Sequence, residues 1–329
     1  MLILGIETSC DETAASVVMD GKKILSNVIA TQTEWHKKFG GIVPEIASRK
    51  HIELINPVIR EALNKAKIDL DNLSGIAVTF GPGLVGSLLV GIETAKAISY
   101  AKRLPLLAIN HLEGHIYAVG LKKDIEFPAV SLIVSGGHTE LVYIENYGNY
   151  ELLGRTRDDA AGEAFDKISV MLNLGYPGGP IIDRLSKKGN KKALNLPLAK
   201  MKKGQFDFSF SGLKTAVINY LKKGTEIPIP DLVASFQEAV VKSLVEKTIK
   251  AARVKHVKYI ILCGGVAANS RLREKMQEEA EKREMKVYFP HKILCTDNAA
   301  MIAGLGYLKL KNKELANYTL NACPNLKLG

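Results

Sequence analysis

Cysteine is scarce and scattered. Cys10, Cys263, Cys295 and Cys323 are the only four in 329 residues, and no two stand in C-x-x-C spacing. That argues against a disulfide framework or a zinc knuckle and predicts buried free thiols. Aromatic residues make up 6% of the chain, with one tryptophan, too few for the stacking platforms that capture extended single strands. No apolar run reaches the roughly eighteen residues of a membrane helix, and MLILGIETSC carries no basic segment ahead of its apolar run. Neither a membrane span nor a leader is expected, and the chain is assigned to the cytoplasm. The phosphate-binding signature G-x-x-x-x-G-K-[ST] is also missing, as is the metallopeptidase motif H-E-x-x-H.

What is present is an ordinary globular composition, 47% hydrophobic and 24% charged, with a basic excess of +11 and a pI near 9.3. The length favours two domains or two lobes of one larger fold. The excess favours a polyanionic partner, although a lysine-rich surface also serves solubility or heat tolerance. Lysines gather in LSKKGNKKALNLPLAKMKKGQ (185–205) and KTIKAARVKHVK (247–258). Without aromatics between them, such groups suit phosphate contacts to a folded nucleic acid; the plain alternative is a solvated loop and a helix's polar face.

Two stretches share one plan. LILGIETSCDETAASVVMDGKKILSNVIAT and PAVSLIVSGGHTELVYIENYGNYELLGRT each read as strand, small polar turn, strand, turn, strand. GIAVTFGPG, leading into SLLVGIETAKAISYAK, and KYIILCGGVAANSRLR, opening a helix near Asn269, are strand–glycine–helix elements. Backbone N–H groups at such a helix start can hold an anion, or the glycines simply permit close packing. In AINHLEGHIYAV, His111 and His115 stand one helical turn apart. On a helix their Cβ atoms would lie about 5–6 Å apart, near enough to share a metal, or they cap and pack. Glu113 is the only carboxylate between them, so a metallopeptidase lacks its base in the expected place. TDNAAM reads as a helix start with Thr296 or Asp297 at the cap.

Duplicated openings, a late strand–Gly–Gly–helix element and no Walker motif resemble the two-lobed α/β architecture of actin, Hsp70 chaperones and sugar kinases, with duplicated ribonuclease H-like lobes and a nucleotide cleft. The expected lobes are 1–127 with 297–329, and 128–296. The hairpin turns TSCDET and VSGGHTE would hold phosphates, although Ser135 stands where that superfamily often has Asp.

The blocks GIETSCDETAASVV, GGIVPEIASRKHIE, GPGLVGSLLVG, NHLEGH, SLIVSGGHTELV, DDAAGEAFDK, GYPGGP, FSFSGLKTA, CGGVAANSRLR and CTDNAAMIA resemble, in order, the bacterial-type TsaD family of tRNA N6-adenosine threonylcarbamoyltransferases, relatives of the archaeal and eukaryotic Kae proteins. The resemblance runs from residue 3 to beyond residue 300. It implies transfer of a threonylcarbamoyl group from threonylcarbamoyl-AMP to N6 of the adenosine on the 3′ side of the anticodon, in tRNAs reading codons that begin with A. It implies a metal on His111, His115 and Asp297, iron foremost, with zinc and manganese as alternatives. Donor or adenine-nucleotide contacts would fall on Ile133, Val134, Ser135, Gly136 and Gly137, and on Asp166, Gly179, Asp183 and Asn269. Asp11 and Glu12 are the candidates for proton transfer, Asp11 first. Each has a structural alternative: ordering a turn, capping a helix, or a carboxylate on a helix face. The implied partners are tRNA, a TsaB-like paralogue and a TsaE-like ATPase, with self-association left open. A metallopeptidase of the O-sialoglycoprotein endopeptidase type and a nucleotide-dependent scaffold are the competing readings.

Overall fold

A computed structural model describes residues 1–199, 204–222 and 227–328. Lys200, Lys202 and Lys203 of the first lysine group lie outside the described residues. The chain divides into two compact units, Met1–Asp124 with Thr296–Leu328, and Ile125–Cys295.

In the first unit, β1 (Leu2–Glu7), β2 (Glu12–Met19) and β3 (Lys23–Thr31) form an antiparallel meander. The β2–β3 turn uses Asp20 and Gly21, both with positive φ, the Asp-Gly pair whose twist matches a tight hairpin. Helices α1 (Thr33–Lys37) and α2 (Pro44–Ala66) follow, then β4 (Gly75–Gly81), α3 (Val85–Lys102), β5 (Leu106–Asn110) and α4 (His111–Gly120). The sheet order is β3-β2-β1-β4-β5, with β4 and β5 parallel to β1. β1 is apolar along nearly its whole length because helices cover both faces of a sheet with parallel crossovers.

The second unit repeats the plan. Its meander is β6 (Ala129–Val134), β7 (Thr139–Asn146) and β8 (Asn149–Arg155). It continues through α5 (Ala161–Met171), α6 (Gly178–Ser186), α7 (Ser211–Lys222), α8 (Ile229–Val254), β9 (Tyr259–Cys263), α9 (Ser270–Glu281) and β10 (Lys286–Tyr288). The order β10-β9-β6-β7-β8 is the first sheet's order read from the other edge. Phe165, Phe208, Phe210 and Phe236 fill its core. Among the described residues no helix is long and apolar enough to cross a membrane.

The chain ends in the first unit with α10 (Ala299–Lys311). Small residues let it lie close to α4: a Cβ on Gly114 would meet Ile302 at 2.9 Å and Met301 at 3.3 Å, and one on Gly304 would meet Tyr117 at 2.6 Å. These pairings set α4 and α10 side by side with their N-termini at the same end. Asp297, just ahead of α10, is thereby brought to the start of α4.

Candidate functional site

His111 is the first residue of α4, and its helix start is anchored by Asn110, whose side chain accepts from the Leu112 and Glu113 amides. Asn110 also donates to the Lys327 carbonyl. At the facing end of α10, Asn298 is the cap, accepting from the Met301 amide at 3.1 Å. This corrects the expectation of Thr296 or Asp297 there. With Asn298 capping, the Asp297 carboxylate is directed to the histidines, its Oδ1 3.2 Å from His115 Nε2 and 3.5 Å from His111 Nε2. One atom from each of the three residues lies within 4.8 Å of the others. Both ring nitrogens of His115 are buried, and the polar atom that Nε2 meets is the Asp297 carboxylate oxygen at 3.2 Å. A buried imidazole is costly unless each ring nitrogen is used by a hydrogen-bond partner or a metal. Two imidazoles and a carboxylate form a ligand set that suits zinc, iron or manganese and leaves positions open.

Behind the triad stands a residue that the motifs did not mark. Glu7 ends β1 fully buried, accepting from the Ser9 amide at 2.6 Å, from Thr79 Oγ1 at 2.7 Å and facing His111 Nδ1 at 2.9 Å. Burial opposes charge on both members of this pair. Their mutual attraction outweighs it, lowering the Glu7 pKa and, with Asp297, raising that of His111 to about 9 in the metal-free protein. Burial lowers the pKa of His115. The available signal was a carboxylate at the end of an otherwise apolar strand, which is rarely buried without a partner.

Asp11 ends the β1–β2 turn that follows Glu7, and Glu12 opens β2. Burial first, then Asp11 and Asp297, push the Glu12 pKa well above the carboxylate range, and Glu12 is hydrogen-bonded to Asp11. His51 of α2 steadies this turn, pairing with the Cys10 carbonyl at 3.0 Å and with Thr13 Oγ1 at 2.8 Å. Since only a ring N–H can donate to the carbonyl, Nδ1 accepts from Thr13. Glu113 lies 3.9 Å from Lys309 Nζ.

In the second unit, Ile133 and Val134 are fully buried strand residues, so any contact they make with a donor is through backbone. Ser135, Gly136 and Gly137 form the β6–β7 turn, closed by the Ser135 amide on the His138 carbonyl at 2.8 Å. A Cβ on Gly136, Gly137, Gly179 or Gly265 would meet nothing within 4 Å. Their side has room for a close-approaching ligand. Other glycines serve packing instead: a Cβ on Gly83 would come within 2.6 Å of the Ser9 carbonyl, and Gly264, at φ +92°, lies against Val134. Asp166 accepts from the Gly178 amide at 2.6 Å, fixing the start of α6. Asp183 accepts from Ser270 Oγ at 2.7 Å, and Asn269 caps α9 through Leu272 while donating to the buried Gln237 at 2.7 Å. Gln237 is a second residue that sequence reasoning missed.

The lysine groups differ. Lys187, Lys188, Lys191 and Lys192 are exposed. On α8 and just beyond it, Lys247 and Lys250 stand over Phe208 and Phe206, and Lys255 stands over Tyr143 and pairs with Glu151.

A family model, TsaD: tRNA N6-adenosine threonylcarbamoyltransferase, matches residues 23–304. The tRNA N6-adenosine threonylcarbamoyltransferase of Clostridioides difficile is 55% identical, the match covering 100% of this chain and 98% of that protein. One from Clostridium perfringens is 54% identical with the same coverage. Among solved structures, component A of the (R)-2-hydroxyglutaryl-CoA dehydratase of Acidaminococcus fermentans aligns with a TM-score of 0.59 at 17% identity, covering 94% of this chain and 99% of that one. Full-length HypF aligns with a TM-score of 0.64 at 13% identity, covering 95% of this chain and 56% of that one. At such identities these two show the fold alone, a two-lobed actin-like α/β architecture. Matched along nearly all of its length by sequence as well, the chain belongs to the TsaD family of tRNA N6-adenosine threonylcarbamoyltransferases.

Proposed function

We propose that the chain transfers the threonylcarbamoyl group of threonylcarbamoyl-AMP to N6 of the adenosine on the 3′ side of the anticodon, in tRNAs reading codons that begin with A, and releases AMP. The carrying observation is the convergence of His111, His115 and Asp297 next to the turn that bears Asp11 and Glu12. His111, His115 and Asp297 would hold one divalent metal, iron, zinc or manganese. When bound, that metal would supply Lewis acidity toward a carbonyl or a phosphate.

The chain's own groups account for the rest. N6 is a poor nucleophile because its lone pair is delocalised into the purine, so it must lose a proton during or after attack. Burial and the neighbouring Asp11 and Asp297 favour the neutral form of Glu12, and Asp11 is the carboxylate that would accept the proton from N6. In the second unit, the open backbone of Ser135–Gly137 and Gly179 suits a phosphate and a sugar, with Asp166, Asp183 and Asn269 holding that surface in shape. The partners that fit are tRNA, a TsaB-like paralogue and a TsaE-like ATPase, acting in the cytoplasm. The peptidase reading is disfavoured because the motif H-E-x-x-H, which would supply its base, is absent.

The test is single-turnover transfer from threonylcarbamoyl-AMP to unmodified tRNA, read by mass spectrometry of the nucleosides, with casein cleavage run in parallel. Modified adenosine and intact casein are expected. D11N should bind the adenylate normally and transfer slowly, by roughly a hundredfold or more. Wild-type transfer in D11N would remove Asp11 from the mechanism.

A further inference from the structure

Glu7 does more than balance a charge. Its two oxygens are committed to different partners: Oε1 to the Ser9 amide, and Oε2 to Thr79 Oγ1 and His111 Nδ1. Ser9 Oγ also lies 3.2 Å from that nitrogen. We propose that Glu7 is the positioning residue of the metal centre, holding the hydrogen of His111 on Nδ1 and so presenting the Nε2 lone pair to the metal. The inference rests on the metal reading given above and extends it to a residue that touches no ligand of its own.

A carboxylate has no hydrogen to give, so the hydrogen between Oε2 and Nδ1 belongs to the ring. Nε2, the nitrogen facing Asp297, is then the one left to coordinate. Such carboxylate–histidine–metal arrangements fix both tautomer and ring orientation. Through the Ser9 amide the same carboxylate also sets the first residues of the turn leading to Asp11. One side chain thus ties a metal ligand to the proton-transfer turn.

The substitution Glu7→Gln makes the idea sharp. A backbone amide can only donate, so the new side chain must keep its carbonyl oxygen on Ser9. Its NH2 group then falls where Oε2 was, facing Nδ1. The Thr79 hydroxyl can turn round and accept, but His111 must now accept at Nδ1 and carry its hydrogen on Nε2. The amide conserves size while reversing the tautomer, which blocks the coordinating nitrogen.

Zinc is the probe. Chelator competition should show E7Q binding zinc roughly ten- to a hundredfold more weakly than wild type. In metal-free E7Q, imidazole 15N spectra should place the His111 hydrogen on Nε2, a change that a merely structural role would not produce. Should E7Q fold poorly, zinc-loaded wild type still decides: Nδ1 must carry the hydrogen and Nε2 the metal. Equal zinc affinity in E7Q, or wild-type coordination through Nδ1, overturns the proposal. A wild-type protein that retains no zinc, iron or manganese overturns the metal reading beneath it instead.

Discussion

His111 and His115 share a helix face but not an electrostatic setting. Both are buried, yet only His111 faces a buried carboxylate, so removing each imidazole has different consequences. His115→Ala should abolish metal retention at the cost of a cavity. His111→Ala makes a similar cavity and also leaves Glu7 without its charge partner. Its loss of stability should exceed that of His115→Ala by about 1–3 kcal/mol, the penalty of a stranded buried polar group. Elemental analysis together with thermal unfolding of the metal-free variants checks both parts. Equal unfolding midpoints would show that the Glu7–His111 pair contributes nothing net.

At the scale of elements, the recurring device is a hairpin turn packed against a helix start. Gly162, in the first turn of α5, donates its amide to the Ser135 carbonyl at 3.1 Å. A Cβ there would come within 2.6 Å of that oxygen. Gly136 in the same turn has open space on its Cβ side. Gly162→Ala should therefore lower the thermal midpoint by displacing the turn, whereas Gly136→Ala should leave the midpoint unchanged and weaken adenylate binding. Calorimetry for stability and titration with a nonhydrolysable adenylate separate the two; unchanged binding in Gly136→Ala would mean that the open side of the turn is only solvated. The α8–α9 contact offers a pH test. Glu238 of α8 meets Arg271 at 2.7 Å and Lys275 at 2.8 Å. Burial opposes its charge, but these two cations prevail and bring its pKa down to about 2 from 4.5. A depressed pKa gives stability that is present above pH 4.5 and lost as pH falls toward 2. Glu238→Gln should remove about 1–2 kcal/mol at neutral pH and flatten the loss over that acid range. Parallel wild-type and variant curves between pH 5 and pH 2 would contradict it.

For the whole molecule, the basic excess has to be divided between lysines that serve the fold and lysines left for a partner. Lys247, Lys250 and Lys255 are drawn into contacts with Phe208, Phe206, Tyr143 and Glu151, and Lys187 lies 3.9 Å from Asp183, whereas Lys188, Lys191 and Lys192 stand in solvent after the end of α6. Reversing Lys188, Lys191 and Lys192 to Glu should weaken tRNA binding. Each lost phosphate contact should reduce the slope of log K against log salt by roughly 0.7 to 0.9. Adenylate binding should be untouched. A salt slope identical to wild type would assign these three to solubility.

What could be read along the chain was whatever depends on near neighbours. The turn at Asp20-Gly21, the helix that places His111 and His115 on one face, the repeated strand–turn–strand openings and the Asn269 cap are all encoded within a few residues. The ordered blocks of family resemblance carried the activity in the same way. Tertiary structure decided the matters that turn on distant partners. It made Asn298 and not Asp297 the cap of α10, because Asp297 is turned toward two histidines brought in by the α4–α10 packing. It enlisted Glu7 and Thr79 behind His111, raised the Glu12 pKa by burial beside Asp11, and sorted packed glycines from open ones. Burial, proton sharing and close approach are properties of pairs far apart in sequence, and no local pattern specifies them until the sheets and helices have met.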